Sequence, residues 1–422
     1  MFQIKENKVV AKNVFWNTVG SLFYLLCQWL LTVVVVRLSK SYEDAGILSL
    51  AMSLTNIFTT IALFNVRNYQ ASDVEGKYTS SEYYTHRILT CGLALILCTV
   101  FVLLNSYNIY ISLSIIGYMI VKLVESYADV LHGMAQNKWR LDIAGKSYIA
   151  RGALLIGSFT VCELLFKNLA ISIAVMALTN LLVIFIYDFP AVKKLEPFSF
   201  TFNRKKIINL SLTCLPLLLY GICTNSIASF ARYYLELIHG EEVLGYYSTA
   251  SSLAVLVQAF VTLIFTPLIG VFTEHYKNDD RKAIAKLLLM LCGLLVAITA
   301  IAALVIFLLG DFAMSLLFGE EILPYVYLLY PSVFASCLMA FMWLLGMLLV
   351  IIRDSLTLVL GSVLGILTSM IICILSIPDT VYKGTNAAIL IGLSAVALIY
   401  LIKIIFWLLS PRKTNVLQQH ST

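Results

Sequence analysis

The feature that most limits how this chain can fold is the recurrence of long apolar runs separated by short polar breaks. Twelve runs can be marked, at 13–36, 45–65, 87–105, 109–134, 147–166, 168–188, 207–231, 245–270, 284–310, 322–352, 355–377 and 385–409. A helix needs about 20 apolar residues to cross a hydrocarbon core, and each run is close to that length or beyond it. In lipid every backbone N–H and C=O must be satisfied internally, which a helix does within its own segment. The pattern therefore predicts an all-α polytopic membrane protein with about twelve transmembrane helices. The tenth run is long and contains Pro331, so a kink is expected there.

Composition agrees. Hydrophobic residues make up 60% of the 422 and charged residues only 12%, where a soluble domain carries about one quarter. A cytosolic enzyme, a nucleic-acid binder and a disordered scaffold are excluded. The nine cysteines fall in apolar runs without a C-x-x-C pair, and read as small buried hydrophobes rather than disulfides or metal ligands. No metal or cofactor is expected. Lys5, Lys8 and Lys12 precede a first run that is long enough to span and lacks a clear small-residue cleavage site, so no cleavable leader is expected.

Orientation follows from lysine and arginine in the connections, because positive loops stay on the cytoplasmic side. The N-terminus, 66–87, 135–146, 189–206, 271–286, Arg353 and the tail together hold 21 such residues. The alternate set, Arg37, Lys40, Lys167, Arg232 and Lys383, holds 5. Both termini are thus expected in the cytoplasm, and the net charge of +6 is mostly this topogenic signal. The five histidines are scattered along the chain. They make no i, i+4 pair, no H-E-x-x-H and no Ser-His-Asp spacing, so they read as unrelated interfacial residues and no enzyme is expected. There is also no G-x-x-x-x-G-K-[ST] loop, so the energy would come from an ion gradient, a membrane potential or the substrate gradient.

The two halves resemble each other. GILSLAMSL at 46–54 and GYYSTASSL at 245–253 share Gly46/Gly245, Ser49/Ser248, Ala51/Ala250, Ser53/Ser252 and Leu54/Leu253, and each opens an even-numbered span. Six spans per repeat give both halves the same orientation, so they would be related by a pseudo-two-fold axis along the membrane normal, with the substrate path between them. The expected organisation is an N-terminal six-helix lobe (1–190), a cytoplasmic linker rich in charge and proline (191–206) and a C-terminal six-helix lobe (207–422).

Charge at bilayer depth is costly, so ionisable residues inside spans are candidates for function. Lys122, Glu125 and Asp129 share one face of the fourth span, and Arg151 lies about one turn into the fifth. Either they line a polar cavity for a charged substrate or a proton, or they neutralise one another, Lys122 with Glu125 and Arg151 with Asp129. Arg37, Arg67 and Arg232 sit at span ends, where snorkelling to headgroups competes with bidentate phosphate binding. Asn56, Asn65, Asn68, Asn225, Gln28 and Gln258 could bond sugar hydroxyls or link helices. Tyrosines cluster at span ends and default to an interfacial belt. Pro216 and Pro267 would mark bends used in gating, and Gly361 with Gly365 a packing face.

Several stretches carry a family resemblance: the opening KNVFWNTVGSLFYLLCQWLLTVVVVRLSKSYEDAGILSLAMSL, then 128–155, 215–253 and the long segment around 321–353. They resemble Wzx-type polysaccharide flippases of the multidrug/oligosaccharidyl-lipid/polysaccharide exporter superfamily. The likeness is a diffuse pattern over most of the chain, without a diagnostic catalytic signature. It implies two six-helix bundles around a central cavity and alternating access in a bacterial cytoplasmic membrane. The implied cargo is an undecaprenyl-diphosphate-linked oligosaccharide moved to the outer leaflet, with a polysaccharide polymerase and assembly proteins as further partners. Arg151, Lys122, Arg67 and Arg232 are the candidates for the diphosphate. Glu125, Asp129, Asn56 and Asn225 are the candidates for a polar cavity or ion coupling. A cation-coupled drug exporter of the same superfamily is the alternative, with Glu125 and Asp129 as its ion site. The chain has twelve spans where some branches have fourteen, so nothing resting on extra helices carries over.

Overall fold

The computed structural model describes residues 2–39, 41–73, 76–266 and 268–410, without the side chains of 2–11, 68, 71 and 72. Pro267, Asn68 and His420 of the sequence analysis, and the charges of the tail, therefore lie outside what is described. All regular secondary structure among the described residues is helical. Its first half contains α1 (Phe2–Leu38), α2 (Tyr42–Leu63), the short α3 (Val66–Ser72), α4 (Ser80–Leu104), α5 (Ile109–Asn137), α6 (Leu141–Phe166) and α7 (Leu169–Val183). A π-turn (Ile184–Asp188) carries α7 into α8 (Phe189–Leu195). The second half contains α9 (Arg204–His239), α10 (Glu241–Ser251), α11 (Leu253–Phe265), α12 (Leu268–Lys277) and α13 (Arg281–Phe318). A 3-10 segment (Glu320–Leu328) leads into α14 (Leu329–Ile351), and α15 (Ser355–Thr380) and α16 (Tyr382–Leu409) complete it.

Twelve helical stretches among the described residues are long and apolar enough to cross a membrane, and the expected runs match them within a few residues at most ends. Three differences are instructive. The sixth span continues through the π-turn to Leu195, taking residues expected in the linker. The eighth is divided at Ser252 and again beyond Phe265. The tenth breaks where the 3-10 segment meets α14, not at Pro331. That proline lies in the first turn of α14, where a missing N–H costs no helical bond.

Helix ends are set by side chains that supply the backbone partners a terminus lacks. Thr79 and Glu82 form a reciprocal capping box at the start of α4. Asn108, Asn168, Asn203, Asp280 and Asp354 each accept a backbone N–H at a start. The rest of the 196–203 connection is laid along α4: Ser199 N–H donates to Ser81 Oγ (3.2 Å) and Thr201 N–H to Thr85 Oγ1 (2.9 Å). Lys206 then pairs with Glu82 at 3.0 Å.

Both halves pack on one scheme. In the first, α1 lies on α6, α6 on α7, α5 on α7 and α2 on α5; in the second, α9 lies on α15, α15 on α16, α14 on α16 and α11 on α14. These are the two six-helix bundles, and α2 joins them by packing on α9 and α10. The repeated segments meet here. A side chain added at Gly46 would strike the Glu241 carbonyl, and one added at Gly245 the Tyr42 carbonyl. Only glycine lets the backbones come this close. The matching pair thus marks the point where the two repeats touch. Beside it Tyr42 stacks on Tyr246 (4.2 Å between ring centres) and Tyr246 on Tyr325 (4.5 Å), so these tyrosines close one end of the molecule rather than ringing it. Gly361 packs on Tyr400 and Gly365 on Val396, as a small-residue face should.

Candidate functional site

The most unusual part of the interior lies in the first bundle, where seven charged side chains form one network. On α5, Lys122 Nζ pairs with Glu125 Oε2 at 2.9 Å. Glu125 Oε1 accepts from Tyr24 Oη (2.6 Å) and Gln28 Nε2 (2.7 Å), tying α1 to α5. One turn on, Asp129 accepts from Arg67 Nη1 (2.8 Å) and from Arg87 Nη2 (2.9 Å). Arg87 is fully buried on α4 and also donates to the Ala62 carbonyl at 2.8 Å. Arg67 stands on α3; burial alone would lower its pKa, but Asp129 outweighs that and raises it.

Arg151 on α6 is 1% exposed. Its guanidinium lies over the Tyr24 ring at 5.1 Å and the Tyr148 ring at 5.3 Å, within cation–π range. Neither its Nε nor its Nη1 has a hydrogen-bond partner. Asp188, placed inward by the π-turn, accepts from Ser147 Oγ at 2.7 Å and lies 2.9 Å from His132 Nε2. A π-turn adds a residue to one turn and so rotates the rest of the helix, a common device at functional sites. With His132 neutral, four cations (Lys122, Arg151, Arg67, Arg87) face three carboxylates (Glu125, Asp129, Asp188), leaving one positive charge in excess. The side chains of Lys122, Glu125, Asp129 and Arg67 stay 18–26% exposed, so the network has accessible tips.

The structure thus brings Arg151, Lys122, Arg67, Glu125 and Asp129 together, but not as the spacing suggested. Asp129 belongs to Arg67 and Arg87, not to Arg151, because α3 and α4 both deliver a guanidinium to it. Arg87 and Asp188 stand at the very ends of the third and sixth apolar runs but are buried, since α4 begins and the sixth span ends farther out than those runs. His132 and His86 are buried too (His86 lies 3.0 Å from Ser211 Oγ), correcting the view of all five histidines as interfacial. The signal for Asp188 was weak: one acid beside a proline-bearing boundary.

The remaining candidates lie elsewhere. Arg232 is near the far end of α9, away from the network. Arg37 donates to the carbonyls of Ser315, Leu316 and Leu317, capping α13 rather than reaching for headgroups. Asn225 Nδ2 donates to Thr60 Oγ1 (2.9 Å) and Asn65 Nδ2 to the Leu217 carbonyl (3.1 Å), so both link the bundles. Asn56 is exposed on α2. Pro216 is accommodated inside the continuous α9.

Thr60, Asn65 and Asn225 border a second feature, a cavity of about 680 Å³ between the bundles. Gln258 and Thr262 of α11 and Trp343 and Met347 of α14 face it as well. Its walls come from the end of α2, the first part of α9 and the last part of α14, so it lies toward the end where Arg140, Arg204, Lys205, Lys206 and Arg281 gather, here termed the basic end. The opposite end is the one sealed by Gly46, Gly245 and their tyrosines.

Residues 10–276 match the family described as polysaccharide biosynthesis protein. The chain belongs to this family. A relative within reach of sequence comparison is the capsular polysaccharide biosynthesis protein CapF of Staphylococcus aureus, 24% identical over 315 residues that cover 74% of this chain and 78% of CapF. Among solved structures, an inward-facing multidrug resistance MATE family transporter of the MOP superfamily superposes with a TM-score of 0.63 at 13% identity, covering 94% of this chain and 98% of that one. A MOP superfamily transporter from Pyrococcus furiosus gives 0.62 at 14%, covering 96% and 97%. The fold of this polysaccharide biosynthesis family member is therefore that of a MOP membrane transporter, as the resemblance to Wzx-type proteins implied.

Proposed function

We propose that this protein moves an undecaprenyl-diphosphate-linked oligosaccharide from the cytoplasmic to the outer leaflet by alternating access, without a catalytic step of its own. The reading rests on the lobes 1–190 and 207–422 rocking about the 191–206 connection. It also rests on the basic end facing the cytoplasm of a bacterial cell, so that both termini are cytoplasmic. The cavity between the bundles would then open inward and the glycine contact would close the outside. The cargo would pass next to polymerase and assembly proteins.

The observation that carries the reading is the single excess positive charge of the buried network, with Arg151 lacking acceptors on two of its nitrogens. A diphosphate supplies the missing acceptors, and guanidinium and ammonium groups hold it by charge-assisted hydrogen bonds. Lys122 and Arg67 offer the accessible tips for first contact, and Arg151 engages as the bundle opens. The acids that a cation-coupled exporter would use are already engaged, Glu125 by Lys122, Tyr24 and Gln28, and Asp129 by two arginines.

The test is leaflet exposure of a labelled undecaprenyl-diphosphate oligosaccharide in proteoliposomes, with an organic cation dye in parallel. Movement of the lipid-linked sugar alone is expected. In Arg151→Ala that movement is lost while insertion and abundance persist, and Arg151→Lys restores part of it. Full transport by Arg151→Ala would remove the diphosphate role, and gradient-driven movement of the dye would favour the exporter.

A further inference from the structure

The two bundles depart from their common scheme at one helix. In the first bundle α4 is held against α2 and α5, and Ala94 and Cys98 at its middle are fully buried. Its counterpart in the second bundle is α13. That helix is packed near its ends, by Leu288 and Leu291 on one side and Met314 and Phe318 on the other, but no residue between Leu295 and Gly310 is buried. The middle of α13 stands off from α14 and leaves a groove of about 450 Å³, lined by Leu295, Thr299 and Ala303 of α13 and by Phe334, Leu338 and Phe341 of α14.

Three observations say what this groove takes. First, it is apolar: apart from Thr299, whose hydroxyl donates to the Leu295 carbonyl at 2.8 Å, its lining consists of aliphatic, aromatic and cysteine side chains. Second, it lies at bilayer depth. Cys292 and Ala303, at its limits on α13, are about 17 and 33 Å along the helix from Arg281 at the basic end. Third, α14 is the wall between the groove and the polar cavity: Leu338 and Phe341 line the groove, and Met339 and Met342 the cavity. The cavity reaches down α14 to Val350 beside the basic end, so the polar chamber lies shallower and the apolar one deeper. That order matches a lipid entering from the leaflet at the basic end, headgroup first and chain toward the midplane.

We propose that the α13–α14 groove holds the isoprenoid chain of the lipid-linked cargo while its sugar head occupies the cavity on the other face of α14 and its diphosphate lies at the Asn65 side of that cavity, toward Arg67 and the charged network. The inference rests on the flippase reading and adds where the chain travels. A long branched chain left in bulk lipid would have to be dragged beside the moving bundles. One seated on the second bundle would move with it, since the groove lies wholly within that bundle.

The full chain in phosphatidylcholine nanodiscs is irradiated with a benzophenone-bearing isoprenyl diphosphate, and with a diacyl phospholipid carrying the same photogroup at equal mole fraction. The isoprenoid probe is expected to label peptides of α13 and α14, with competition by unlabelled undecaprenyl diphosphate. Ala300 also lines the groove, and Ala300→Trp, which fills it, should lower that labelling about tenfold. Ala303→Phe is read alongside it in case the larger residue prevents accumulation. Equal labelling by the diacyl probe, labelling at other helices, or unchanged labelling in both filled variants would overturn the groove. The leaflet assay on wild-type protein separates the two readings. Transport without groove labelling defeats this inference alone, whereas groove labelling without transport defeats the flippase reading.

Discussion

The first and second bundles share a helix scheme and differ in what they hide. The first gathers seven charges into one network between α1, α3, α4, α5, α6 and the π-turn, with Arg87, Arg151 and Asp188 buried. Among the described residues the second keeps its ion pairs, Lys403–Asp354, Arg281–Asp279 and His275–Asp280, beside the basic end, and lines the groove between α13 and α14 with apolar side chains. The two halves thus share a helix scheme and differ in the chemistry between their helices, charged in the first and apolar along the α13–α14 groove in the second. The backbone scheme tolerates this because helix packing depends on the shape of the touching faces, not on the chemistry of the groups between them.

The sharpest way to test the comparison is to remove one carboxylate charge from each bundle. Asp129→Asn leaves Arg87 buried without its counter-charge, so a loss of about 3–5 kcal/mol is expected, read as a fall in thermal stability and abundance. Asp354→Asn breaks a pair whose lysine is 47% exposed, keeps a residue suited to starting α15, and should cost under about 1 kcal/mol. Similar losses in both would erase the distinction between the bundles.

A smaller effect is expected at their junction. Gly46→Val forces α2 away from Glu241 of α10, an overpacking worth about 1–3 kcal/mol. The strain should favour the state in which that end is open, so a cysteine at Tyr246 reacts faster with an impermeant maleimide from outside the cell. Unchanged reactivity would mean that the glycine contact is not the closure.

The smallest effect concerns pH. Burial alone would raise the pKa of Asp73, but the amides of Lys77 and Tyr78 and the Tyr83 hydroxyl outweigh it and hold it below the usual carboxylate range. A lowered carboxylate pKa contributes stability above about pH 4, lost as pH falls through the folded value. Unfolding scans should therefore show a slight loss of stability below that pH, absent in Asp73→Asn.

How much of this was legible varies with the kind of interaction. The run from Lys122 to Asp129 announced itself because charge on a lipid-length helix is conspicuous, and the Lys122–Glu125 pair came directly from spacing along one helix. The partners of Asp129 were hidden, because Arg67 and Arg87 reach it from 62 and 42 residues away in sequence. Arg151 was visible as a buried cation, but its aromatic seat between Tyr24 and Tyr148 was not. Gly46 and Gly245 could be matched by eye, yet only the fold brought them into contact.

The sequence by itself determined twelve helices, their approximate ends and a two-fold plan, because crossing a bilayer is a local requirement that each segment meets with its own side chains and backbone. The tertiary structure decided which arginines neutralise Asp129, that the π-turn places Asp188 inward, and that α13 parts from α14 to leave a groove. Those outcomes depend on the register and separation of helices far apart in the chain. A list of apolar runs carries no information about either.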